Sequence, residues 1–364
     1  MTLLLNNKEV EQVLNMKDSV KAMELAFLDL ANGKGINRPR SHTYLPRPSE
    51  EDESRFYLFK SMDGGLPRFG MHGLRISSDL QRERYVGGKR RREKLPVAPG
   101  NKYVGLLLLF SIDTLELLAI MPDGYLQRMR VGATSAVAAK YLAKKKVHTA
   151  GLIGTGWQAG AQVMGLFEVF PAITKVKVYS LNPDHRRAFV QEWAEKLGKA
   201  IVVVDTPDEA AKETDVLALS TNSQTPVVDV GSIPEGCHVG SLQGAELDDK
   251  LMERASVVVV RERSEPTFWV MGDNLPYEVS SQKSIKRGDV DSKKVRTLGE
   301  IMAGKSVGRT SNGDITLFTG SGSGGSAGLG TQFVAVGAMI YKRAKEQGLG
   351  QELPTDWFLQ DLKP

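Results

Sequence analysis

Two sets of residues in this 364-residue chain have the types and spacing to do chemistry. The first is the loop "GLIGTGWQAGAQ" at 151–162, where Gly154, Gly156 and Ala159 stand at the spacing of the three glycines of a dinucleotide-binding loop. Gly154 permits a tight turn, Gly156 lets backbone approach a pyrophosphate, and Ala159 or Gly160 allows a helix to pack closely. The helix opening at Trp157 and Gln158 then offers free N–H groups and a partial positive charge to phosphate oxygens. The second set is cationic: Arg38 and Arg40 in "NRPRSH", Arg75 in "GMHGLRISSD", and Arg128 and Arg130 in "LQRMRVGAT". Arg75 stands among apolar residues, where a charge is costly unless paired, so an anionic ligand is a reasonable partner. Taken singly, each arginine is better explained by a structural salt bridge; together they gain force.

The choice of nucleotide turns on the end of the second strand, which reads "YSLNPDHRR". An acid there would bind the adenosine 2′-hydroxyl, but Ser180 and Asn182 are neutral and Asp184 comes late. Arg186 and Arg187 are candidates to face a 2′-phosphate, although arginines at a helix start are more often plain solvent contacts. The balance leans to NADP over NAD, and Thr221, just past the apolar run 216–220, completes the cofactor-binding set.

Other chemistries fail on residue types. "GGSAG" at 324–328 matches a hydrolase nucleophile elbow, yet no histidine follows its serine, the last being His238. The five histidines show no metal-ligand spacing, so no metal is expected. The one cysteine, Cys237, excludes an intrachain disulfide and reads as buried filler.

These residues need elements to position them. Residues 3–5, a helix after Asn7, and a second helix over 19–30 precede a strand-and-turn region from 38 to 118, which predicts an α+β unit with an antiparallel or mixed sheet. A long helix rich in small residues follows at 126–142. Apolar runs at 149–153, 176–180, 201–204, 216–220, 238–242 and 257–260 then alternate with helical stretches, which implies a parallel sheet with right-handed crossovers. The glycine tract at 320–330 reads as an ordered loop leading a last helix, 332–347, back onto the N-terminal unit.

Composition sets the class. With 41% hydrophobic and 25% charged residues the chain is an ordinary globular protein. Its longest apolar run, 103–110, is far short of the ~20 residues of a membrane span, so no membrane association and a cytoplasmic location are expected. Much of the net charge of +5 comes from Arg82 to Lys94, with "KRRREK" at 89–94. This stretch reads as a solvated loop without interleaved aromatics, and nucleic-acid binding is not expected.

The run "MPDGYLQRMRVGATSAVAAKYLAKK…GLIGTGWQAGAQ", with "RPR" upstream and "HVGSLQGAELDDKLMERASVVVV" and "GLGTQFVAVGAMIYKRA" downstream, resembles the ornithine cyclodeaminase/mu-crystallin family over nearly the whole chain. That resemblance implies a Rossmann dinucleotide-binding domain at 126–319. It also implies a substrate-binding and dimerisation domain at 1–125, completed by 320–364. It further implies a homodimer and hydride transfer between a nicotinamide and the α-carbon of a small amino or imino acid. Two other activities come with it: an ammonia-releasing cyclase holding NAD, and a non-catalytic, crystallin-like binding protein. The family's substrate-binding positions match Arg40, Arg75 and Arg130. Arg75 replaces the family's usual lysine, which weakens it as a proton donor because guanidinium keeps its proton near neutral pH. The loop that carries a catalytic aspartate in the cyclising members is shortened to "GSLQGAELDD", with Glu246 the nearest candidate and Gln243 a weaker one. Residues 81–100 read as an insertion near the substrate side. Imine reduction or amino acid dehydrogenation is therefore favoured over ornithine cyclisation, with Glu246, His72 or water as the proton source.

Overall fold

Asn6, one residue before the expected cap, starts the first helix: its side chain accepts from the Lys8 and Glu9 N–H groups, and Glu9 reaches back to the Asn6 N–H. The structure is a computed structural model describing residues 1–50, 52–263, 268–276, 294–319 and 328–361. The glycine tract at 320–327 and most of "GGSAG" lie outside the described residues.

In chain order the first part comprises β1 (Thr2–Leu4), α1 (Asn7–Val13), α2 (Met16–Ala31), β2 (Ile36–Asn37), β3 (Ser41–Pro46) and β4 (Arg55–Leu66). It continues with β5 (Met71–Val86), β6 (Lys89–Leu95), β7 (Val104–Ser111) and β8 (Leu117–Pro122). The second part opens with α3 (Gly124–Leu142), β9 (Thr149–Ile153), α4 (Trp157–Val169), β10 (Lys175–Tyr179) and α5 (Pro183–Leu197). Then come β11 (Ile201–Val203), α6 (Pro207–Ala211), β12 (Val216–Leu219), β13 (His238–Ser241), α7 (Asp249–Arg254) and β14 (Val257–Val260). The chain ends with β15 (Phe268–Met271), β16 (Val295–Thr297), α8 (Leu298–Met302), β17 (Thr316–Thr319), α9 (Gly330–Glu346) and β18 (Gln351–Leu353).

Two sheets result. The first runs β15-β3-β4-β5-β7-β8-β1-β18, with β2 beside β4 and β6 beside β5. It is mixed, because β1 is parallel to β8 and β15 parallel to β3 while the other pairs are antiparallel. The second runs β11-β10-β9-β12-β13-β17-β14-β16 and every pair in it is parallel, so the doubly wound Rossmann sheet is present. From β9 the chain builds outward through β10 and β11, then crosses to β12 on the other side. That reversal opens a crevice beyond the carboxyl ends of β9 and β12. The sequence reading did not anticipate β17, which comes from late in the chain yet sits fully buried between β13 and β14.

Helix α3 is buried on nearly every side, and its small residues allow this. A Cβ on Gly132 would stand 2.4 Å from the Ala161 carbonyl oxygen, and one on Gly165 would stand 2.9 Å from the Ala136 methyl, so α3 and α4 cross backbone to backbone. Helix α9 returns to the first sheet, where β18 pairs with β1. At its start a Cβ on Gly330 would collide with the Asp63 backbone at 2.0 Å.

Side chains alternate along a strand, and this decides what the first sheet presents to each side. On β5, Gly73, Arg75, Ser77, Asp79, Gln81 and Glu83 form the buried row, while His72, Leu74, Ile76 and Ser78 belong to the opposite face. Pairing in register puts Lys60 and Met62 of β4 and His42 of β3 on the same face as Arg75.

The segment Arg82 to Lys94 is not a solvated loop. It is a hairpin of β5 and β6, held by Arg82 and Arg84 on Glu93 and by Arg92 on Glu83. Its tip side docks on the loop after β12: Arg91 bridges Ser223 and donates to Asn222 Oδ1 at 2.7 Å, and the Gln224 N–H donates to the Arg90 carbonyl. Among the described residues no helix is long and apolar enough to cross a membrane, and no group of three or more His, Cys, Asp or Glu is placed to hold a metal ion.

Candidate active site

The loop after β9 has the shape a dinucleotide needs. Gly154 adopts φ +112°, and a Cβ there would stand 2.2 Å from the Ser220 carbonyl oxygen, so only glycine fits where β9 passes β12. In front of Gly156 a Cβ would meet nothing within 4 Å, and no side chain caps α4, so the N–H groups of Trp157 and Gln158 open toward that space. Ala159 is fully buried in the core between strand and helix. The position that tolerates no methyl is Gly160, whose Cβ would stand 2.1 Å from the Trp193 ring. Arg128 belongs with this loop rather than with the other arginines: its guanidinium stacks on exposed Trp157 at 4.0 Å and on Trp193 at 5.4 Å. The residues present therefore fit a dinucleotide pyrophosphate.

At the adenosine end, Ser180 bonds Thr155, and Asn182 caps α5 by accepting from the Asp184 and His185 N–H groups. Arg186 is buried, stacks on Tyr179 at 5.1 Å and donates to the Val204 carbonyl, while Arg187 stays exposed beside Asp184. The structure thus commits Arg186 to the protein and leaves Arg187 as the solvent-facing cation. Thr221 lies at the end of β12, where its N–H donates to Glu246.

Three buried arginines, Arg75, Arg130 and Arg261, and the half-buried Arg40 lie within one another's electrostatic field. Arg75 places Nε and Nη2 on one oxygen of Asp123, both at 2.6 Å, and reaches Gln127 Oε1 at 3.3 Å. Arg130 donates to Gln332 Oε1 at 3.2 Å. Both guanidinium groups lie over the same Phe333 ring, at 5.5 and 4.6 Å. A Cβ on Gly328 would meet the Arg130 guanidinium at 2.8 Å, so glycine admits that side chain. Arg40 joins them, pushed down to about 9 by burial and then by the charges of Arg75 and Arg261. Burial holds Arg130 well below its ordinary value, with Arg261, Arg75 and Arg40 adding to the effect. Such mutual repulsion in a dry site is what an incoming anion relieves.

Sequence reasoning missed Arg261. It follows the four buried valines of β14, is 4% exposed, and burial pushes it down to about 10. A signal was available: an arginine ending an all-valine run stands at the carboxyl end of a parallel strand, where ligands of such sheets bind. It also missed Lys60, whose ammonium sits 2.6 Å from Asp79 on the same face as Arg75. Burial, only partly offset by Asp79, draws Lys60 down to about 7.

Two expected proton donors are placed elsewhere. His72 lies on the opposite face of β5 from Arg75, since they stand three positions apart along a strand of period two, and its Nε2 is 3.2 Å from Asp63. Glu246 is fully buried; one oxygen accepts from the Thr221 N–H and the other from Ser241 Oγ and the Gln243 N–H. It braces the loops after β12 and β13 and presents no open carboxylate, while Gln243 donates to the Thr221 and Ser223 carbonyls. Cys237 is fully buried and its thiol is pushed up to about 12, mainly by burial.

The sequence pattern of the ornithine cyclodeaminase/mu-crystallin family matches residues 1–348. The chain is 29% identical over 357 residues to a Delta(1)-pyrroline-2-carboxylate reductase of Bacillus cereus, covering 96% of this chain and 99% of that one. Its fold superposes on the Delta(1)-pyrroline-2-carboxylate reductase of Thermococcus litoralis in complex with NADH and L-proline, with TM-score 0.75, 29% identity, and 97% and 100% of the two chains covered. It matches equally an archaeal alanine dehydrogenase dimer with bound NAD, with TM-score 0.75, 29% identity, and 97% and 99% covered.

Burial raises Glu246 from the ordinary 4.5 to about 7 against the pull of its three donors. A carboxyl raised on folding favours the native state below its unfolded value, and that advantage is lost as pH rises through the folded value. Glu246→Gln does not titrate, so its melting temperature rises relative to wild type between pH 5 and 8, a gain on the order of 2–3 kcal/mol. Calorimetry across that range checks it; parallel wild-type and variant curves would show that Glu246 stays ionised.

Proposed function

The chain belongs to the ornithine cyclodeaminase/mu-crystallin family, and on that premise we propose that it is an NAD(P)H-dependent oxidoreductase. It transfers hydride to the imine carbon of a 2-imino acid or cyclic ketimine, and the reverse reaction is amino acid dehydrogenation. The observation that carries this reading is the packing of Arg75 and Arg130 on the single Phe333 ring, with Arg130 in the field of Arg261 at the carboxyl end of β14. The likeness to a reductase holding NADH and L-proline supports it.

The nicotinamide, when bound, supplies the hydride chemistry. Gly154 and Gly156 leave room for the pyrophosphate, and the Trp157 and Gln158 N–H groups meet its oxygens. Arg40 and Arg130 hold the α-carboxylate and so fix the imine carbon toward the cofactor, which provides proximity and a preorganised field. Arg75, its charge answered by Asp123, is held rigid and borders the carboxylate site as a positioned donor. Lys60, on the same face as Arg75 and drawn down to about 7, serves as the proton donor in this reading; the placements of His72 and Glu246 favour it over them. The sealing of Glu246 weighs against the ammonia-releasing cyclase. Residues 1–125 with 320–364 act as the substrate-binding and dimerisation unit, and 126–319 as the dinucleotide unit.

Incubated with NADPH or NADH, ammonia and a panel of 2-oxo acids, or with preformed cyclic imines, the protein consumes the reduced nicotinamide on at least one substrate. Arg130→Leu lowers kcat/KM by roughly 100-fold, as expected when a carboxylate loses its buried cation. No turnover on any member of the panel would overturn the reading.

For the cofactor we propose NADP(H). Ser180 presents no carboxylate to repel a 2′-phosphate, and Arg187 is an exposed cation nearby. Calorimetric titration should show tighter binding of NADPH than NADH, with Ser180→Asp shifting that ratio toward NADH by at least about tenfold through like-charge repulsion. Equal affinities in both proteins would remove this preference.

The outer face of the first sheet carries Tyr57, Phe59, Leu74, Ile76, Leu106 and Leu108, all half-buried. We propose that it pairs with its copy across a two-fold axis. Sedimentation at micromolar concentration should give a dimer, and Ile76→Glu a monomer; a monomeric wild type contradicts the pairing.

A further inference from the structure

We propose that the substrate is a dicarboxylate, an imino acid whose second carboxylate is received by Arg261. The inference rests on the reading of this site as an imino-acid site and goes further by naming the substrate class.

The charges in the site do not balance with one carboxylate. Asp123 answers the charge of Arg75 directly. Arg130 has a neutral acceptor, Gln332, and its Nε has no hydrogen-bond partner among the described residues. Arg261 is more exposed to the same problem: Nε and Nη1 both lack a partner among the described residues, and its one close neighbour of note is the Phe318 ring at 5.4 Å. Adjacent Glu262 makes no ion pair with it among the described residues. A guanidinium removed from water without acceptors is strongly unfavourable, and it persists where a ligand completes it.

An α-carboxylate on Arg130 satisfies one of these two cations and leaves the other. Arg261 ends β14 next to β17, and its charge acts on both Arg130 and Arg40. A substrate anchored by its α-carboxylate therefore meets Arg261 with its side chain. The planar fork of a guanidinium matches a carboxylate bidentately, which selects a carboxylate-bearing side chain over an aliphatic or hydroxylated one. A substrate without it leaves Arg261 buried and unsatisfied, and sites built this way reject such analogues by large factors.

The test compares kcat/KM for ammonia with oxaloacetate and 2-oxoglutarate against ammonia with pyruvate and 2-oxobutyrate, in wild type and Arg261→Met. Wild type is expected to favour a dicarboxylic substrate by about 100-fold or more, and Arg261→Met to collapse that ratio by at least about 30-fold, chiefly through KM. Comparable turnover of monocarboxylic substrates by wild type, or an unchanged ratio in the variant, overturns the inference while leaving imine reduction intact. Absence of turnover on every substrate instead removes the underlying reading. A second measurement separates folding from binding: with NADPH present, aspartate or glutamate raises the melting temperature of wild type more than alanine does, and Arg261→Met loses the difference. The ligand-free variant melts no lower than wild type, because it has lost an uncompensated buried charge; if it melts lower, Arg261 is satisfied within the protein and the proposal fails.

Discussion

The pair of Arg75 and Asp123 is the constraint on which the site depends. Arg75 is carried into the dry side of the first sheet by strand alternation, and a bare guanidinium there would be prohibitive. Asp123 meets it from the residue that leads into α3, and it gives its carboxylate to the arginine rather than to the helix N–H groups. The carboxylate fits because position 105 is glycine: a Cβ there would stand 2.1 Å from Asp123 Oδ1. One ion pair thereby ties the sheet to the helix that also carries Arg130, and the spacing of the two cations becomes a property of the fold.

Three further ties fix the crevice from the other side. Glycines at 132 and 165 bring α3 against α4, so the helix that holds Arg130 also backs the helix whose N-terminus faces the pyrophosphate space. Glu246 joins the loops after β12 and β13 by collecting the Thr221 and Gln243 N–H groups. The basic hairpin of β5 and β6 reaches across to the loop at 222–226 through Lys89 and Arg91 of β6, so the strand paired with the one that carries Arg75 touches the rim of the nucleotide sheet. Its charges are largely internal, spent on Glu83 and Glu93, which is why a stretch that reads as a solvated loop folds as a strand pair.

Local patterns carried much of this. The loop from Gly154 to Gly160, the small-residue helix and the alternation of apolar runs with helices each depend on neighbours within a few residues, so the doubly wound sheet was legible in the chain itself. The cationic character of the site was legible too, because Arg40, Arg75 and Arg130 stand out against apolar surroundings. Strand alternation is equally legible on β5, where the odd spacing of His72 and Arg75 sends them to opposite faces.

What the sequence alone determined is therefore the kind of fold, the presence of a phosphate cradle and the sign of the charge facing it, since these follow from local steric and hydrophobic periodicity. The tertiary structure decided which groups meet. Arg261 comes within the field of Arg130 and Arg40 only when β14 takes its place beside β17, and Phe333 slides beneath Arg75 and Arg130 only when α9 returns to the first sheet. Glu246 looked open to substrate in the chain and is sealed by Thr221 and Ser241 in the fold. Pairings of this kind span tens to hundreds of residues, and no local period encodes them, because their energy comes from desolvation that exists only once both sheets have packed.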